Sequence, residues 1–366
     1  MVKDRPSQSQ MHPDSILIVR LSAMGDIVMA TPLASALKRT YPMAKICWLV
    51  QPEWRDLLAG HPAVDEVLVW PRNEWTALWR EKKLWSLMRA IRSFGSYLKG
   101  FAFDLGIDAQ GLLKSAMLLK LSGARYRIGL KSKERSHWLL DEAVAANPDN
   151  SRISSEYLSL ANALGLVTAS FEPTLEFAGE QRAASKRLLD SLGVSRPYIT
   201  FCPFTTRPQK HWPETYWAEL GSALCRQSVG PVLLLGGKAD DAAARRIVKL
   251  AGANRNGRLL NLAGRTTIAE AAGLVAGSEL VVAIDTGLGH MGIAFDRPTV
   301  MLFGSTRPYT VTTQDNVAVL YHDMHCAPCR RHPTCNGAYT CMKNLVVGDV
   351  LRQCRELAPD LAGSRP

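Results

Sequence analysis

SILIVRLSAMGDIVMATPLASALKRTY, residues 15–41, decides how the rest of the chain is read. It opens on Ile16-Leu17-Ile18-Val19, a short apolar run without helical spacing and rich in β-branched side chains. Such a run reads as a strand buried on both faces of a parallel sheet. Leu21 to Gly25 form a small-residue turn, Asp26 follows, and apolar positions at Ile27, Ala30, Leu33 and Leu37 set a helix. The layout is strand, glycine turn, acid, helix. In an open α/β sheet, ligands gather outside the carboxyl ends of the strands, which is where this turn lies. Asp26 stands at or near the helix N-terminus, and its plain structural role there is an N-cap.

Working outward, the pattern repeats. Ile46–Val50, Val67–Trp70 and Phe103–Ile107 read as further strands, with helical spacing between them. A loose extended segment, Val167–Phe177, interrupts the alternation, which then restarts. Strands are expected at Tyr198–Cys202, Val232–Leu235, Leu259–Leu262, Leu280–Ile284 and Thr299–Phe303, separated by helices. Strands alternating with helices indicate parallel βαβ units. Two consecutive α/β halves predict two Rossmann-like domains facing a cleft, residues 14–172 and 173–366.

Composition narrows the partners. Of 366 residues, 47% are hydrophobic and 21% charged, the balance of a globular protein. A net charge of +11 suits an anionic partner: nucleic acid, an acidic membrane surface or a phosphorylated substrate. The opening residues are polar and lack the apolar core of a signal peptide. No apolar run approaches the ~18 residues of a membrane span. The expected location is the cytoplasm, or the cytosolic face of a membrane. The eight cysteines therefore read as thiols or metal ligands rather than disulfides. Cys326, Cys329, Cys335 and Cys341 cluster near the C-terminus. A compact loop of reduced thiols, or an occasional disulfide, is the reading taken, with a structural zinc site on these four as its alternative, since the spacing is not that of a standard finger.

Two loops in the second half carry the chemistry of a phosphate site. Pro203 to Pro213 places Thr205, Thr206, Arg207 and Lys210 after a strand and before a helix. Hydroxyls, a cation and a helix N-terminus together bind phosphate. Ala283 to Gly292 follows another strand and holds Asp285, Thr286, Gly287, Gly289 and His290. Its glycines let backbone N–H groups approach an anion, and Asp285 suits sugar hydroxyls. Neither loop is a P-loop. The pair points to a diphosphate nucleotide. In the first half, Arg72 to Phe101 mixes Trp75, Trp79 and Trp85 with Arg80, Lys82, Lys83, Arg89 and Arg92 at roughly helical spacing. A core helix with solvated cations accounts for this pattern; so does a basic, aromatic surface for an anionic lipid. Asp108 to Ser115, including Gln110 and Lys114, is another strand-end loop, and Arg125 and Arg127 lie in what reads as a basic loop beyond it.

RLSAMGDIVMATP, IDAQGLLKSA, TTRPQKHWP, LAGRTTIAEAAGLV and VAIDTGLGHMGIAFDRPTVMLFGST resemble, in order and spacing, the motifs of the ADP-heptose:lipopolysaccharide heptosyltransferases, glycosyltransferase family 9. The resemblance runs from about Ile16 to Lys343. It implies a GT-B fold, an ADP-heptose donor in the C-terminal domain, an acidic lipopolysaccharide-core acceptor in the N-terminal one, and no required cofactor. Asp26 resembles the catalytic base. Thr205, Thr206 and Lys210 resemble the diphosphate contacts, Asp285 the donor-sugar contact, Thr286 and Gly287 the phosphate-binding turn, and His290 a further donor-side residue. Asp240 or Asp241 is placed to meet the ribose. Lys82, Lys83, Gln110, Lys114, Arg125 and Arg127 are then expected to meet the acceptor. The tryptophan-rich stretch looks most like the first-heptose enzymes, and the cysteine-rich tail departs from them. The expected reaction is an inverting transfer in which ADP leaves, with Asp26 and Lys210 catalytic. Its rivals are a sugar-nucleotide epimerase of the same fold and a basic nucleic-acid binder.

Overall fold

The computed structural model describes residues 12–132, 134–146, 151–177, 179–226, 230–252, 258–306, 308–309, 311–312, 314–329 and 332–359. The chain divides into two compact units. Met1–Asp149 and Ser154–Glu176 form the first; Asn150–Ile153 and Phe177–Pro366 form the second. The short excursion at 150–153 has a visible cause. Arg152 makes a parallel bridge to Val311, with Val311 N donating to Ser151 O and Ile153 N to Val311 O.

The first unit contains β1 (Ser15–Val19), α1 (Met24–Thr40), β2 (Lys45–Val50), α2 (Arg55–Leu58), β3 (Glu66–Val69), α3 (Arg72–Arg80), α4 (Leu84–Lys99), β4 (Leu105–Asp108), α5 (Leu113–Leu121), β5 (Tyr126–Leu130), β6 (Glu142–Val144) and α6 (Ser155–Ala163). Its six strands run in the order β3-β2-β1-β4-β5-β6, every pair parallel. Ile16, Leu17, Ile18 and Val19 are fully buried, as a strand covered on both faces requires. The sheet winds outward in both directions from β1 and β4, whose register pairs Val19 with Asp108. The strand order reverses there, so their carboxyl ends open a crevice.

The second unit repeats this plan. It comprises α7 (Gly179–Ser191), β7 (Ile199–Cys202), α8 (Glu214–Arg226), β8 (Val232–Leu234), α9 (Asp241–Leu250), β9 (Leu259–Asn261), α10 (Ile268–Ala276), β10 (Leu280–Ile284), α11 (Gly287–Ala294), β11 (Thr299–Phe303), β12 (Val317–Tyr321), α12 (Thr340–Lys343) and α13 (Val347–Leu357). The order β12-β11-β10-β7-β8-β9 is again fully parallel. The reversal falls between β7 and β10. Trp212, Trp217 and Phe201 pack edge-on and tilted in this unit's core, and the Trp212 indole donates to Leu345 O. Among the described residues, no helix is long and apolar enough to cross a membrane.

Three of the differences from the sequence reading bear on the first unit's site. Residues 72–101 are not one helix: α3 and α4 are separated at Glu81–Lys83, where Lys82 takes a left-handed φ of 56°. The basic loop after α5 contains β5 and β6, because Arg127 on β5 is neutralised by Asp141, just before β6. The strand expected at Phe103–Ile107 is displaced to Leu105–Asp108, which makes Asp108 its last residue.

Candidate active site

At the first reversal, the turn after β1 carries Asp26 into the first turn of α1. Ala23 is the N-cap and Asp26 stands three residues on, which corrects the N-cap reading. Its Oδ2 accepts from Ala23 N at 3.2 Å and from Arg20 Nη2 at 2.6 Å. Its Oδ1 has no hydrogen bond among the described residues, and the side chain is 56% exposed. The carboxylate is thus held by one oxygen and offers the other. Arg20, directly after β1, is buried; its Nη1 donates to Ala109 O at 3.2 Å, and its guanidinium lies 5.8 Å from the Tyr157 ring centroid. Burial opposes its charge, but Tyr157, Asp26 and Glu156 outweigh that and raise its pKa. The Tyr157 hydroxyl donates to Asp26 O at 3.1 Å.

The partner strand end supplies Asp108 and Gln110. Gln110 Oε1 accepts from Leu21 N at 2.8 Å, so the amide side chain staples the two strand-end loops together. Asp108 is fully buried; its Oδ1 accepts from the amides of Gln110 and Gly111, and its Oδ2 is unpartnered. Burial pushes its carboxyl up to about 6, against those hydrogen bonds and the Arg20 charge. Lys114 is exposed on the first turn of α5. Lys82 and Lys83 sit at the α3–α4 break, Lys83 beside Glu81 at 2.8 Å. Arg125 is exposed and pairs with Asp104, whereas Arg127 is largely buried in a two-point pair with Asp141. That pair holds β5 to the approach of β6, so Arg127 is not among the exposed cations expected to meet an acceptor.

At the second reversal, the loops after β7 and β10 meet through a buried cluster. Lys210 Nζ pairs with Asp285 Oδ2, and also donates to Asp285 O at 3.3 Å. Thr306 Oγ1 donates to Asp285 Oδ2 at 2.7 Å; His290 Nε2 lies 3.3 Å from Oδ1, and His290 Nδ1 lies 3.0 Å from the Tyr309 hydroxyl. Burial alone would raise the Asp285 carboxyl. The His290 hydrogen bond and the Lys210 charge overcome it and hold the group well below the usual carboxylate range. Lys210 and Asp285 are therefore one ion pair rather than two independent contacts. Thr286 is the N-cap of α11, which begins at Gly287. The amides of Gly287, Leu288 and Gly289 have no intrahelical acceptor, so they present a concentrated positive end to an anion. Gly289 has a packing reason as well. A Cβ there would stand 2.7 Å from both Ala283 Cβ and Met301 Sδ, so the residue permits α11 to pack on the sheet.

Thr205 and Thr206 lie on the same β7 loop, with Thr205 O 2.7 Å from His211 Nε2. Asp240 and Asp241 follow β8. Asp240 Oδ2 accepts from Gly237 N at 2.8 Å, whereas Asp241 is engaged by Arg245 and Asn261. Asp240 is the less committed acid of the two. Arg20, Tyr157, Thr306 and Tyr309 were not singled out from sequence. Only Arg20 carried a signal, a charged residue directly after a buried strand; the others reach the site from distant segments.

Cys326, Cys329, Cys335 and Cys341 line one cavity of about 40 Å³, together with Gln209 and Ser305. Burial and the neighbouring thiols raise the pKa values of Cys329 and Cys341. Among the described residues, no three His, Cys, Asp or Glu side chains are grouped so as to hold a metal ion.

The sequence profile described as glycosyltransferase family 9 (heptosyltransferase) matches residues 91–340. Lipopolysaccharide heptosyltransferase 1 of Pseudomonas aeruginosa is 33% identical over 325 residues, covering 86% of this chain and 85% of that protein. Lipopolysaccharide heptosyltransferase 2 of Salmonella typhimurium is 30% identical, covering 80% and 83%. Among solved structures, the E. coli ADP-heptose lps heptosyltransferase II superposes with a TM-score of 0.76 at 24% identity, covering 94% of this chain and 99% of that one. A glycosyl transferase family 9 structure from Veillonella parvula gives 0.79 at 17%, covering 96% and 99%. These likenesses identify the two Rossmann-like lobes as a GT-B fold.

Proposed function

This chain belongs to glycosyltransferase family 9, the heptosyltransferases, and from that premise we propose that it transfers heptose from ADP-heptose to the inner core of lipopolysaccharide. The observation that carries the reading is the pairing of two chemically different strand-end sites. The first offers a carboxylate with one oxygen free, in a unit rich in exposed cations. The second offers a helix start and a buried Lys–Asp–His cluster.

In the reaction, an acceptor hydroxyl oxygen forms a bond to the anomeric carbon of the heptose. Asp26 Oδ1 takes the hydroxyl proton as general base. The bond from that carbon to the diphosphate oxygen breaks, its electron pair stays with the phosphate, and ADP departs. Attack opposite the leaving group inverts the configuration. The α11 amides stabilise the charge gathering on the diphosphate because they are fixed before the reaction begins. Lys210 adds to this as the cationic half of its pair with Asp285, and Asp285 holds sugar hydroxyls. Asp240 meets the ribose. Thr205 and Thr206 hydroxyls meet the diphosphate. Lys82, Lys83, Gln110, Lys114 and Arg125 face an acceptor bearing carboxylates and phosphates. A lipid-linked acceptor places the enzyme on the cytosolic face of a membrane.

The test is a transfer assay with ADP-heptose against a series of truncated lipopolysaccharide cores. A glycosidic product with one core, and ADP released in equal amount, is the expected result. Conversion of the sugar nucleotide without any acceptor would instead support an epimerase.

A further inference from the structure

The hairpin of α3 and α4 carries a run of exposed apolar side chains. Trp79 is 65% exposed, Trp85 83%, Leu84 52% and Met88 44%. Every residue from Trp79 to Ser86 is exposed, so the break at Lys82 forms the tip of a projection. The base is anchored: Phe94, Gly95 and Leu98 are buried, and Trp75 meets Trp70 and Phe94 edge-on. At 3.6 residues per turn, Leu84, Trp85, Met88, Arg89 and Arg92 share one side of α4, and Arg72, Thr76, Trp79 and Arg80 share one side of α3. Arg72, Asn73, Thr76, Ala77 and Arg80 surround a shallow hollow of about 370 Å³. Residues 72–92 carry six Lys or Arg against two Glu, and one of those Glu is already paired with Lys83.

Exposed indoles and leucines cost free energy in water, and patches of them mark binding surfaces. Tryptophan favours the boundary between lipid headgroups and acyl chains, and flanking Lys and Arg meet anionic headgroups. We propose that this hairpin docks the protein on an anionic phospholipid surface. Trp79, Leu84, Trp85 and Met88 enter the headgroup layer, while Arg72, Arg80, Arg89 and Arg92 meet lipid phosphates. Charge selects the occupant: a second copy would set like charges against each other, whereas an anionic bilayer neutralises them. The inference rests on the membrane-borne acceptor of the proposed function and names the element that reaches that membrane.

The experiment compares the full chain with a Trp79→Ser/Leu84→Ser/Trp85→Ser variant, which leaves Leu87, Ile91 and Phe94 in place. Both are sedimented with phosphatidylcholine vesicles with and without phosphatidylglycerol, over a salt series. Brominated acyl chains report tryptophan insertion by quenching. The parent is expected to bind only the phosphatidylglycerol vesicles, more weakly as salt rises, with quenched fluorescence. The variant is expected to lose about tenfold or more in vesicle affinity, at unchanged melting temperature and unchanged transfer to a delipidated soluble acceptor. Absence of parent binding at low salt, or equal binding by the variant, would overturn the proposal. So would a parent dimer in sedimentation velocity that the variant abolishes. If no heptose transfer occurs with any acceptor, the functional reading fails, while vesicle binding still decides the docking surface.

Discussion

Asp26 is the residue on which turnover is expected to depend most. Asp26→Asn keeps an acceptor oxygen for Ala23 N and Arg20, so the start of α1 survives, but the base is lost. Turnover is expected to fall roughly 10²–10⁴-fold with little change in melting temperature. A variant that turned over normally would leave Asp26 with only its role at the helix start. Arg20 grips the other oxygen of the same carboxylate. Arg20→Met is expected to lower kcat about 10²-fold through misplacement of the base, with donor KM unchanged, and Arg20→Lys is expected to recover part of it. Equal kcat in the two variants would mean that Arg20 serves only packing. Lys210 demands a paired design. Lys210→Ala leaves the buried Asp285 carboxylate without its cation, which costs about 3–5 kcal/mol when one partner of a buried pair is removed. Weak ADP binding in that variant would confuse lost folding with lost contact. Lys210→Ala/Asp285→Asn is expected to regain stability without regaining ADP affinity, read by calorimetry beside thermal melts; recovery of both would remove Lys210 from the donor site. Asp26, Lys210 and Asp285 were all visible in the sequence as polar residues at strand ends. That two of them spend their charges on each other was not, because their sequence separation of 75 is closed only by β7 pairing with β10.

Elements were legible where one physical demand dominated. The strands β1, β2, β10 and β11 are almost wholly buried, and their unbroken apolar runs announce it. β5 was missed because its Tyr-Arg-Ile-Gly-Leu carries an arginine whose charge is cancelled by Asp141, fourteen residues on. The division between α3 and α4 was missed because Lys82 is not a residue type that signals a left-handed turn. In α11, Gly289 carries a packing demand that its sequence context does not reveal. Gly289→Ala would force a Cβ into Ala283 and Met301, and overpacking of this kind costs about 1–3 kcal/mol. The displacement would also move the amides at the helix start, so donor KM is expected to rise together with the loss of melting temperature. Gly348→Ala in the first turn of α13 is the control: nothing lies within 4 Å of its added Cβ, so no loss of melting temperature is expected. A Gly289→Ala protein with parental stability and donor KM would show that α11 does not need this close approach.

At the scale of the whole molecule, two buried groups of the first unit pull its stability in opposite directions with pH. His61 lies beneath Thr174; its Nδ1 accepts from Ala63 N, which fixes the neutral ring, and Nε2 faces Thr174 Oγ1. Burial lowers its pKa from 6.5 to about 4. Between those values the unfolded chain binds the extra proton, so stability falls as pH drops from 6.5 toward 4. Asp108 behaves inversely. Burial raises its carboxyl from 3.8 to about 6, so the folded chain holds the extra proton and stability falls as pH rises through that interval. At about 1.4 kcal/mol per pH unit, each effect amounts to roughly 3 kcal/mol. The two nearly cancel between pH 4 and 6, and the parent is expected to show a flat profile there. Asp285, held low, contributes stability that is lost only at more acidic pH. Single substitutions expose the hidden slopes. Asp108→Asn should leave a protein whose stability climbs from pH 4 to 6.5, and His61→Gln one whose stability declines from pH 4 to 6. The double variant should be flat again. Denaturant midpoints across this window decide it: parallel profiles for the parent and both single variants would mean that neither group changes its proton affinity on folding.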